Sequence, residues 1–476
     1  MSELHELSAV RQAELIAAGE LTAPELLEHY LARVERLDHE VGAFITVTED
    51  LARAQAAESQ RRADRARRGE GRIGPLHGVP VPVKDSVHVA GVPTSFASAA
   101  VIPGPAVRDD HVVGRLRRAG TVMIGKTNLS EFELSGHCEN RIAPPARTPW
   151  DPRRSAGGSS GGAAAAVAAG LSPLAHGSDS AGSVRGPASA CGLVGFKPSR
   201  GLVPGGPTSY DVSGLTTSGA LARTVADAAA LLDVLTTDTA GAPVWRARPE
   251  SGGTFRGHAA RVPRRLRVAL VEHAAVPGVE VDAECRAAAA NAAALLDRLG
   301  HRVEPARLLA DGALGRAFPV VWSVLTAARS VAPEHEDELM PLTRFLRAQG
   351  RRHDGVAFAE ALREFRAIAT RTAAHFAAYD VVLTPTLAAP PLPVGHLRNE
   401  ADPAAESAAT VAFSPFTCLY NVTGQPAVSL PLHWSAEGLP IGVMLAAPRG
   451  DDALLISLAA QLEREQPWSG RRPGIW

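Results

Sequence analysis

Residues 157–187 read GGSSGGAAAAVAAGLSPLAHGSDSAGSVRGP, two turns of small residues joined through an alanine-rich run. The run at 163–169 predicts a helix without a polar face, and such a helix is stable only when it is buried. Taken alone, Gly-Gly-Ser-Ser-Gly-Gly is typical of a flexible linker. A linker would not normally lie between the Trp-Asp-Pro turn at 150–152 and an apolar helix, so we interpret this stretch as part of a folded core.

Short apolar runs alternate with helical segments on both sides of this stretch. The runs that predict strands cover residues 78–83, 121–125, 266–271, 381–384, 427–432 and 441–445. The segments that predict helices cover residues 112–119, 163–169, 282–299 and 453–463. This alternation predicts an α/β fold built around a mixed β-sheet.

Composition excludes several classes of protein. The 476 residues carry a formal net charge of −1, so no basic field exists to hold nucleic acid or a membrane surface. The N-terminus lacks the apolar core of a signal peptide, and no run reaches the roughly 20 apolar residues of a membrane helix. The four cysteines form no CxxC pair and suit a reducing compartment, so we expect a cytoplasmic protein. The 16 histidines include no HxxxH or HExxH pattern, and no phosphate-binding or dinucleotide fingerprint occurs, so neither a metal nor a cofactor is expected.

Lysine is rare in this chain. Of the 49 basic residues only Lys84, Lys126 and Lys197 are lysines, which leaves 49 − 3 = 46 arginines. A lysine retained against such a bias is expected where an amine must lose its proton, which arginine cannot do. Lys84 follows an apolar, proline-interrupted run, and burial there would disfavour the ammonium form and supply a neutral amine as a general base.

Ser183 lies in a second small-residue turn. It follows Ala181 and Gly182, and backbone N–H groups in such a turn can converge on an anion, as an oxyanion hole requires. We interpret Asp179 and Arg185 as an ion pair that fixes this turn. His176 also permits a Ser-His-Asp arrangement, but Ser183 lacks the GxSxG context of a nucleophile elbow.

Two cysteines are alternative nucleophiles. Cys138 and Cys191 lie near the serine-rich segment in sequence. Cysteines of this kind more often serve as small buried apolar residues. We therefore favour a serine nucleophile.

Together these segments resemble the amidase signature family. The family pattern is a lysine after a strand, then GGSSGG, then Gly-Ser-x-Arg, then Cys-Gly-x-x-Gly-x-Lys-Pro, which here runs from Cys191 to Pro198. From Ser159 to Ser183 is 183 − 159 = 24 positions, the spacing expected for the family. Further similar segments lie at 125–132, 222–227, 383–386 and 421–426, so the resemblance covers most of the chain. Segments at 175–179, 197–201 and 466–469 resemble the branch that includes hydrolases of the cyclic 6-aminohexanoate dimer.

The resemblance implies an amidohydrolase with a Ser-cisSer-Lys triad and no cofactor or metal. Ser183 would form the acyl-enzyme, Ser159 would relay a proton after a cis peptide bond, and Lys84 would be the base, neutral at rest. The backbone N–H groups of Ser180, Ala181, Gly182 and Ser183 would form the oxyanion hole, and Ser160, Asp179 and Arg185 would support the site.

The resemblance also implies an architecture. We expect one amidase domain over residues 1–476, with helices on both faces of the sheet. Residues 1–70 would form N-terminal helices, 76–235 the catalytic core, 237–380 a variable helical region that shapes the substrate site, and 381–476 a return to the core. The expected partner is a small-molecule amide, without nucleic acid or membrane, and a homodimer stays open.

Two departures from the family pattern leave the substrate open. Ala181 stands where many relatives have glycine, and residues 136–143 differ from the sequence expected for the family. We therefore keep two alternatives, a glutamine-hydrolysing subunit of a tRNA-dependent amidotransferase and a catalytically silent scaffold. Acyl transfer to an amine and cleavage of an ester or carbamate would use the same acyl-enzyme.

Overall fold

A mixed eight-stranded β-sheet with helices on both faces forms the centre of the molecule. The computed structural model describes residues 3–208, 211–236, 253–309 and 312–476. The strands are β1 Phe44–Val47, β2 Val83–Lys84, β3 Gly125–Thr127, β4 Leu174–Asp179, β5 Val194–Lys197, β6 Thr217–Ala222, β7 Arg267–Leu270, β8 Arg302–Pro305, β9 Val381–Pro385, β10 Ala427–Trp434 and β11 Pro440–Ala446.

The helices are α1 Ala9–Ala18, α2 Ala23–Val41, α3 Glu49–Arg67, α4 His111–Ala119, α5 Gly161–Ala168, α6 Arg185–Cys191, α7 Val225–Leu235, α8 Phe255–Ala259, α9 Ala283–Arg298, α10 Ala313–Ala327, α11 Pro341–Gly350, α12 Gly355–His375, α13 Pro403–Phe413, α14 Leu419–Val422 and α15 Asp452–Glu465. Short 3-10 helices cover Leu4–Glu6, Glu131–Glu133 and Pro333–Glu338. No helix among the described residues combines the length and the apolar character needed to cross a bilayer.

The large sheet has the strand order β4-β6-β5-β10-β11-β9-β7-β8. Neighbours from β4 through β9 are antiparallel, whereas β9, β7 and β8 run parallel to one another. The mixed sheet predicted from the alternation of strands and helices is therefore confirmed.

Both faces of this sheet are buried. Leu174 and Ala175 are neighbours on β4, yet they belong to two different apolar clusters. Side chains of a strand alternate between its faces, so the two clusters lie on opposite sides of the sheet. Helices α7, α9 and α15 supply one cluster, and α2, α3 and α5 supply the other. Burial on both sides explains why the strands read as continuous apolar runs.

A separate three-stranded sheet, in the order β1-β3-β2, carries Lys84 to the large sheet. Strand β2 pairs parallel with β3, and the backbone N–H of His176 on β4 donates to the carbonyl of Pro82 over 3.1 Å. Lys84, at the end of β2, is consequently held beside β4.

Two strand predictions were wrong in extent. Of residues 78–83 only Val83 is in a strand, and the run at 121–125 becomes a strand only from Gly125. Pro80 and Pro82 have no N–H to donate to the hydrogen bonds of a β-sheet. The segment just before β2 therefore forms an isolated bridge between Pro80 and Val122 instead of a longer strand. The other predicted strands and helices are present within a few residues, and the Thr22–Glu25 side chains form the capping box that opens α2.

The region at 237–380 is not purely helical. Residues 237–252 and 310–311 lie outside the described residues. The described part contains helices α8 to α12, but it also supplies β7 and the edge strand β8 to the large sheet. The described residues 3–70 form helices α1 to α3, a short 3-10 helix and β1, joined by turns.

Gly162 permits the contact between α5 and the small sheet. A Cβ at this position would lie 2.5 Å from the carbonyl oxygen of Ala43 and 2.5 Å from the backbone nitrogen of Asn128. Backbone atoms cannot move aside as a flexible side chain can, so we expect Gly162→Ala to destabilise the fold by about 1–3 kcal/mol. The midpoint of urea unfolding, followed by circular dichroism, measures the change.

Gly315 provides the matched control, because it is exposed on α10 and a Cβ there would meet nothing within 4 Å. Gly315→Ala is expected to leave the midpoint unchanged or raise it, since alanine is the better helix former. A Gly162→Ala variant as stable as Gly315→Ala would contradict this account of the packing.

Candidate active site

Lys84 and Ser159 meet in the interior. Both side chains are fully buried, and the Lys84 Nζ donates a hydrogen bond of 2.7 Å to the Ser159 Oγ. The peptide bond between Gly158 and Ser159 is cis. Two motifs 75 residues apart in the chain are thus brought into direct contact.

Ser183 lies in the turn between β4 and α6, beside the turn that holds Ser159. The backbone N–H of Ser160 donates to the carbonyl of Ser183 over 3.1 Å, which joins the two turns. Ser183 is 8% exposed, the most accessible of the three candidate triad residues. Among the described residues its hydroxyl group makes no hydrogen bond, so the Ser159–Ser183 contact that a proton relay requires is not formed here. The Ser160 hydroxyl donates to the carbonyl of Ser178 over 3.1 Å.

A buried ion pair fixes the Ser183 turn. Asp179 and Arg185 are both fully buried, and the guanidinium contacts the carboxylate at 2.8 and 2.9 Å. Asn421 on α14 donates to the same carboxylate, and Arg185 donates to the carbonyl of Thr417. Burial alone would raise the pKa of the Asp179 carboxyl, but Arg185 outweighs it and holds that pKa well below its usual range.

The backbone N–H groups expected to form an oxyanion hole are not all free. Gly182 donates its N–H to the Asp179 carboxylate over 2.8 Å, so of the four predicted donors this one already has a partner within its own loop. The sequence pattern could not show that this carboxylate turns back onto its own loop. Ser180, Ala181 and Ser183 have no such partner for their N–H groups among the described residues. Gly182 has φ +128°, which other residues avoid, and Thr417 packs directly against it.

Glu133 and Ser178 belong to the site and were missed. The Lys84 Nζ lies 2.8 Å from a carboxylate oxygen of Glu133 and donates to the Ser178 Oγ over 2.9 Å. The Ser178 hydroxyl in turn donates to the Glu133 carboxylate. Strand alternation could have placed Ser178 on the face of His176. No sequence signal could have located Glu133, because its position depends on a local backbone conformation.

Glu133 supplies Lys84 with a buried counter-ion. Burial of Glu133 would by itself raise its pKa, but Lys84 and then Arg329 lower that pKa to about 2. This carboxylate lies 2.8 Å from the Lys84 Nζ, so the amine has a buried counter-ion that reasoning from burial alone did not anticipate. The neutral resting amine that the resemblance implied stays a prediction.

The other lysines have different environments. Lys126 contacts the Asp85 carboxylate at 2.6 Å, so it serves as half of a buried ion pair. Lys197 donates to the carbonyl of Gln425 over 2.6 Å, and burial, followed by the charge of Arg185, lowers the pKa of Lys197 to about 7. Neither amine makes a hydrogen bond to Ser159 or Ser183 among the described residues.

The alternative nucleophiles and bases find little support in their surroundings. His176 makes its side-chain hydrogen bond to Ser218, and burial, followed by the charge of Lys84, lowers its pKa to about 3. Cys138 and Cys191 are fully buried, and burial raises the pKa of the Cys138 thiol to about 11. The described residues contain no cluster of three or more His, Cys, Asp or Glu side chains that could hold a metal ion.

Known proteins resemble this chain over nearly its whole length. A family model with the description Amidase matches residues 25–456. AmiB2 of Mycobacterium tuberculosis, a protein named as an amidase, is 39% identical over 100% of this chain and 99% of its own. The 6-aminohexanoate-cyclic-dimer hydrolase of Paenarthrobacter ureafaciens is 37% identical over 98% of this chain and 96% of its own.

Solved structures show the same similarity. A 6-aminohexanoate cyclic dimer hydrolase complexed with substrate has a TM-score of 0.91 and 34% identity, and the match covers 99% of this chain and 100% of that chain. A bacterial aryl acylamidase of the amidase signature family has a TM-score of 0.88 and 26% identity, again over 99% and 100% of the two chains.

The buried ion pair makes a testable contribution to stability. Arg185→Gln would leave the Asp179 carboxylate buried without its counter-ion, so we expect a loss of about 3–5 kcal/mol in the free energy of unfolding at neutral pH. Without Arg185, burial would raise the pKa of Asp179, and protonation at lower pH would relieve the unpaired charge. The loss should therefore shrink toward about pH 4. Urea unfolding at both pH values measures it.

Arg153 provides the control, because its side chain is 88% exposed where it pairs with Asp151, and Arg153→Gln should change stability little. An Arg185→Gln variant that unfolds like Arg153→Gln at neutral pH would contradict a stabilising role for the buried pair.

Proposed function

The chain belongs to the amidase signature family of amide hydrolases, as its motifs predicted, and from this premise we propose that it cleaves an amide C–N bond through a Ser183 acyl-enzyme. The observation that carries the proposal is the 2.7 Å contact between the Lys84 Nζ and the Ser159 Oγ, next to the turn that presents Ser183. This contact allows a proton to pass between Ser159 and Lys84. Ser159 would in turn accept the proton of the Ser183 hydroxyl.

The proposed first half-reaction acylates Ser183. A serine hydroxyl attacks poorly until a base removes its proton. Lys84 in its neutral form would take that proton through Ser159, while the Ser183 Oγ forms a bond to the carbonyl carbon. The proton would then pass back to the amide nitrogen, because an amine leaves only once it is protonated. The C–N bond breaks and the acyl group stays on Ser183.

The second half-reaction removes the acyl group and regenerates the free enzyme. Water would lose a proton through the same route, attack the acyl carbon and release the carboxylic acid. In both halves negative charge develops on the carbonyl oxygen. The N–H groups of Ser180, Ala181 and Ser183 would stabilise that charge, and removing one such donor typically lowers the rate about 10²–10³-fold.

The relatives support a proposal for the substrate class. One similar protein and one similar structure are named for the cyclic dimer of 6-aminohexanoate, and another similar structure is an aryl acylamidase. We propose that this protein hydrolyses small amides, with linear and cyclic amides of ω-amino acids as the first candidates. Both departures noted at Ala181 and in the loop at 136–143 would then act on the fit of the acyl group.

A panel of amides tests the proposed reaction. It contains glutamine, aliphatic and aryl primary amides, anilides, and linear and cyclic amides of ω-amino acids, with both ammonia and free amine measured. We expect turnover of at least one amide other than glutamine by the wild type, and its loss in Ser183→Ala because the nucleophile is absent. Ser8→Ala, at the N-cap of α1, is the control and should remain active.

Comparable turnover by folded Ser183→Ala would overturn the assignment of the nucleophile. Ammonia from glutamine alone would favour the amidotransferase subunit, and silence from every amide would favour the scaffold.

The role of Lys84 as a base has its own test. Lys84→Arg keeps a positive charge opposite Glu133, but a guanidinium stays protonated at working pH. We expect Lys84→Arg to lose turnover about 10²–10⁴-fold, the range that general acid–base catalysis contributes, while circular dichroism shows an unchanged fold. Substantial activity in this variant would mean that Lys84 acts as an electrostatic anchor instead of a base.

A further inference from the structure

We propose that Glu133 is a positioning residue that holds the Lys84 amine beside Ser159, and that its negative charge sets the pH above which the site becomes active. The proposal rests on the proposed role of Lys84 as the base for Ser183. It adds a fourth member to the triad, acting through Lys84 and not on the substrate itself.

The three side chains form a closed hydrogen-bonded triangle. Lys84 contacts the Glu133 carboxylate at 2.8 Å and the Ser178 hydroxyl at 2.9 Å, and Ser178 donates to Glu133. Lys84 also donates to the Ser159 Oγ, so its amine makes two hydrogen bonds and one ion pair. The geometry therefore places the amine nitrogen between the proposed relay serine and a carboxylate.

The backbone at Glu133 is held in a conformation that non-glycine residues rarely adopt. Glu133 has φ +69° and Phe132 has φ +48°, both in the left-handed region. A residue persists in such a conformation only where the surrounding structure holds it there. Phe132 donates its N–H to the carbonyl of Phe96 over 2.9 Å, and their rings stack. These contacts fix the turn from which the Glu133 carboxylate reaches Lys84.

Other charged or titratable groups surround the pair on every side. They are Asp85, Lys126, Cys138, His176 and Arg329. Asp85 and Lys126 compensate each other, and burial lowers the pKa of His176 and raises that of Cys138, so both stay neutral around pH 7. Arg329 lies 3.9 Å from Glu133, and its positive charge opposes the electrostatic effect of that carboxylate on Lys84. Its side chain is 37% exposed, so water screens this charge.

The consequence is a shift in the pH dependence of nucleophile activation. An opposite charge within about 4–6 Å typically moves a titration by 1–3 pH units in favour of the charged form. Without the Glu133 carboxylate, the activated site, in which Lys84 is neutral and Ser183 is reactive, would be reached at a lower pH. The activity of the wild type should accordingly rise toward alkaline pH. In a variant without the Glu133 charge, the same rise should occur at a lower pH.

The test measures how fast Ser183 reacts with an alkyl fluorophosphonate. In that reaction the Ser183 Oγ bonds to phosphorus, the P–F bond breaks and fluoride leaves, and the serine proton passes through Ser159 to Lys84. Intact-mass spectrometry gives the labelling rate from about pH 5 to about pH 10. A single essential base produces one acid limb, the part of the pH–rate profile in which the rate rises as the base loses its proton. We expect Glu133→Gln to move that limb about 1–3 pH units to lower pH.

Three further variants separate charge from structure. Glu133→Asp keeps the charge, so its limb should stay near that of the wild type even if the rate falls. Arg329→Gln removes the opposing cation, so its limb should move slightly to higher pH. Glu131 lies in the same turn, and its buried carboxylate accepts hydrogen bonds from Ser98 and Met340 instead of Lys84. Glu131→Gln should therefore leave the limb in place.

The outcomes distinguish this inference from the proposed function. If wild-type Ser183 is not labelled at any pH, the nucleophile assignment fails and this inference fails with it. If Ser183 is labelled but Glu133→Gln keeps the wild-type limb, or Arg329→Gln moves it to lower pH, the proposed function stands and the role of Glu133 is overturned.

Discussion

The buried Asp179–Arg185 ion pair is the interaction on which the rest of the site depends. It links the end of β4 to the start of α6 and reaches α14 through Asn421, so three separate elements meet at one carboxylate. The same carboxylate receives the N–H of Gly182 and thereby shapes the turn that presents Ser183. An uncompensated charge in this interior would be costly, which ties the geometry of the turn to the stability of the fold.

A second buried charge pair, Lys84 with Glu133, gives the site its electrostatic character. The Asp179–Arg185 pair sits at the base of the turn and has a fixed charge, because a guanidinium does not lose its proton. A lysine, unlike an arginine, can lose its proton. In the proposed mechanism the first pair therefore holds the turn of Ser183, and the second pair contains the base that would activate it.

Much of the fold and part of the site could be predicted from the sequence, for identifiable reasons. The strands at 381–385 and 440–446 are buried on both faces, so their apolar runs were unambiguous. The strand predicted at 78–83 was too long, because Pro80 and Pro82 are apolar but cannot donate a backbone hydrogen bond to a neighbouring strand. The GGSSGG motif pointed to Ser159, whereas Glu133 could not be found, since its reach depends on two left-handed residues.

Identification of the acylated residue tests the central claim most directly. The enzyme would be mixed with an activated aryl ester, quenched in acid within its first turnover, digested and sequenced by tandem mass spectrometry. The account predicts one acyl group, on Ser183, and none on this residue when Lys84 is replaced by arginine. An acyl group on Cys138, Ser159 or another side chain, with Ser183 unmodified, would contradict it.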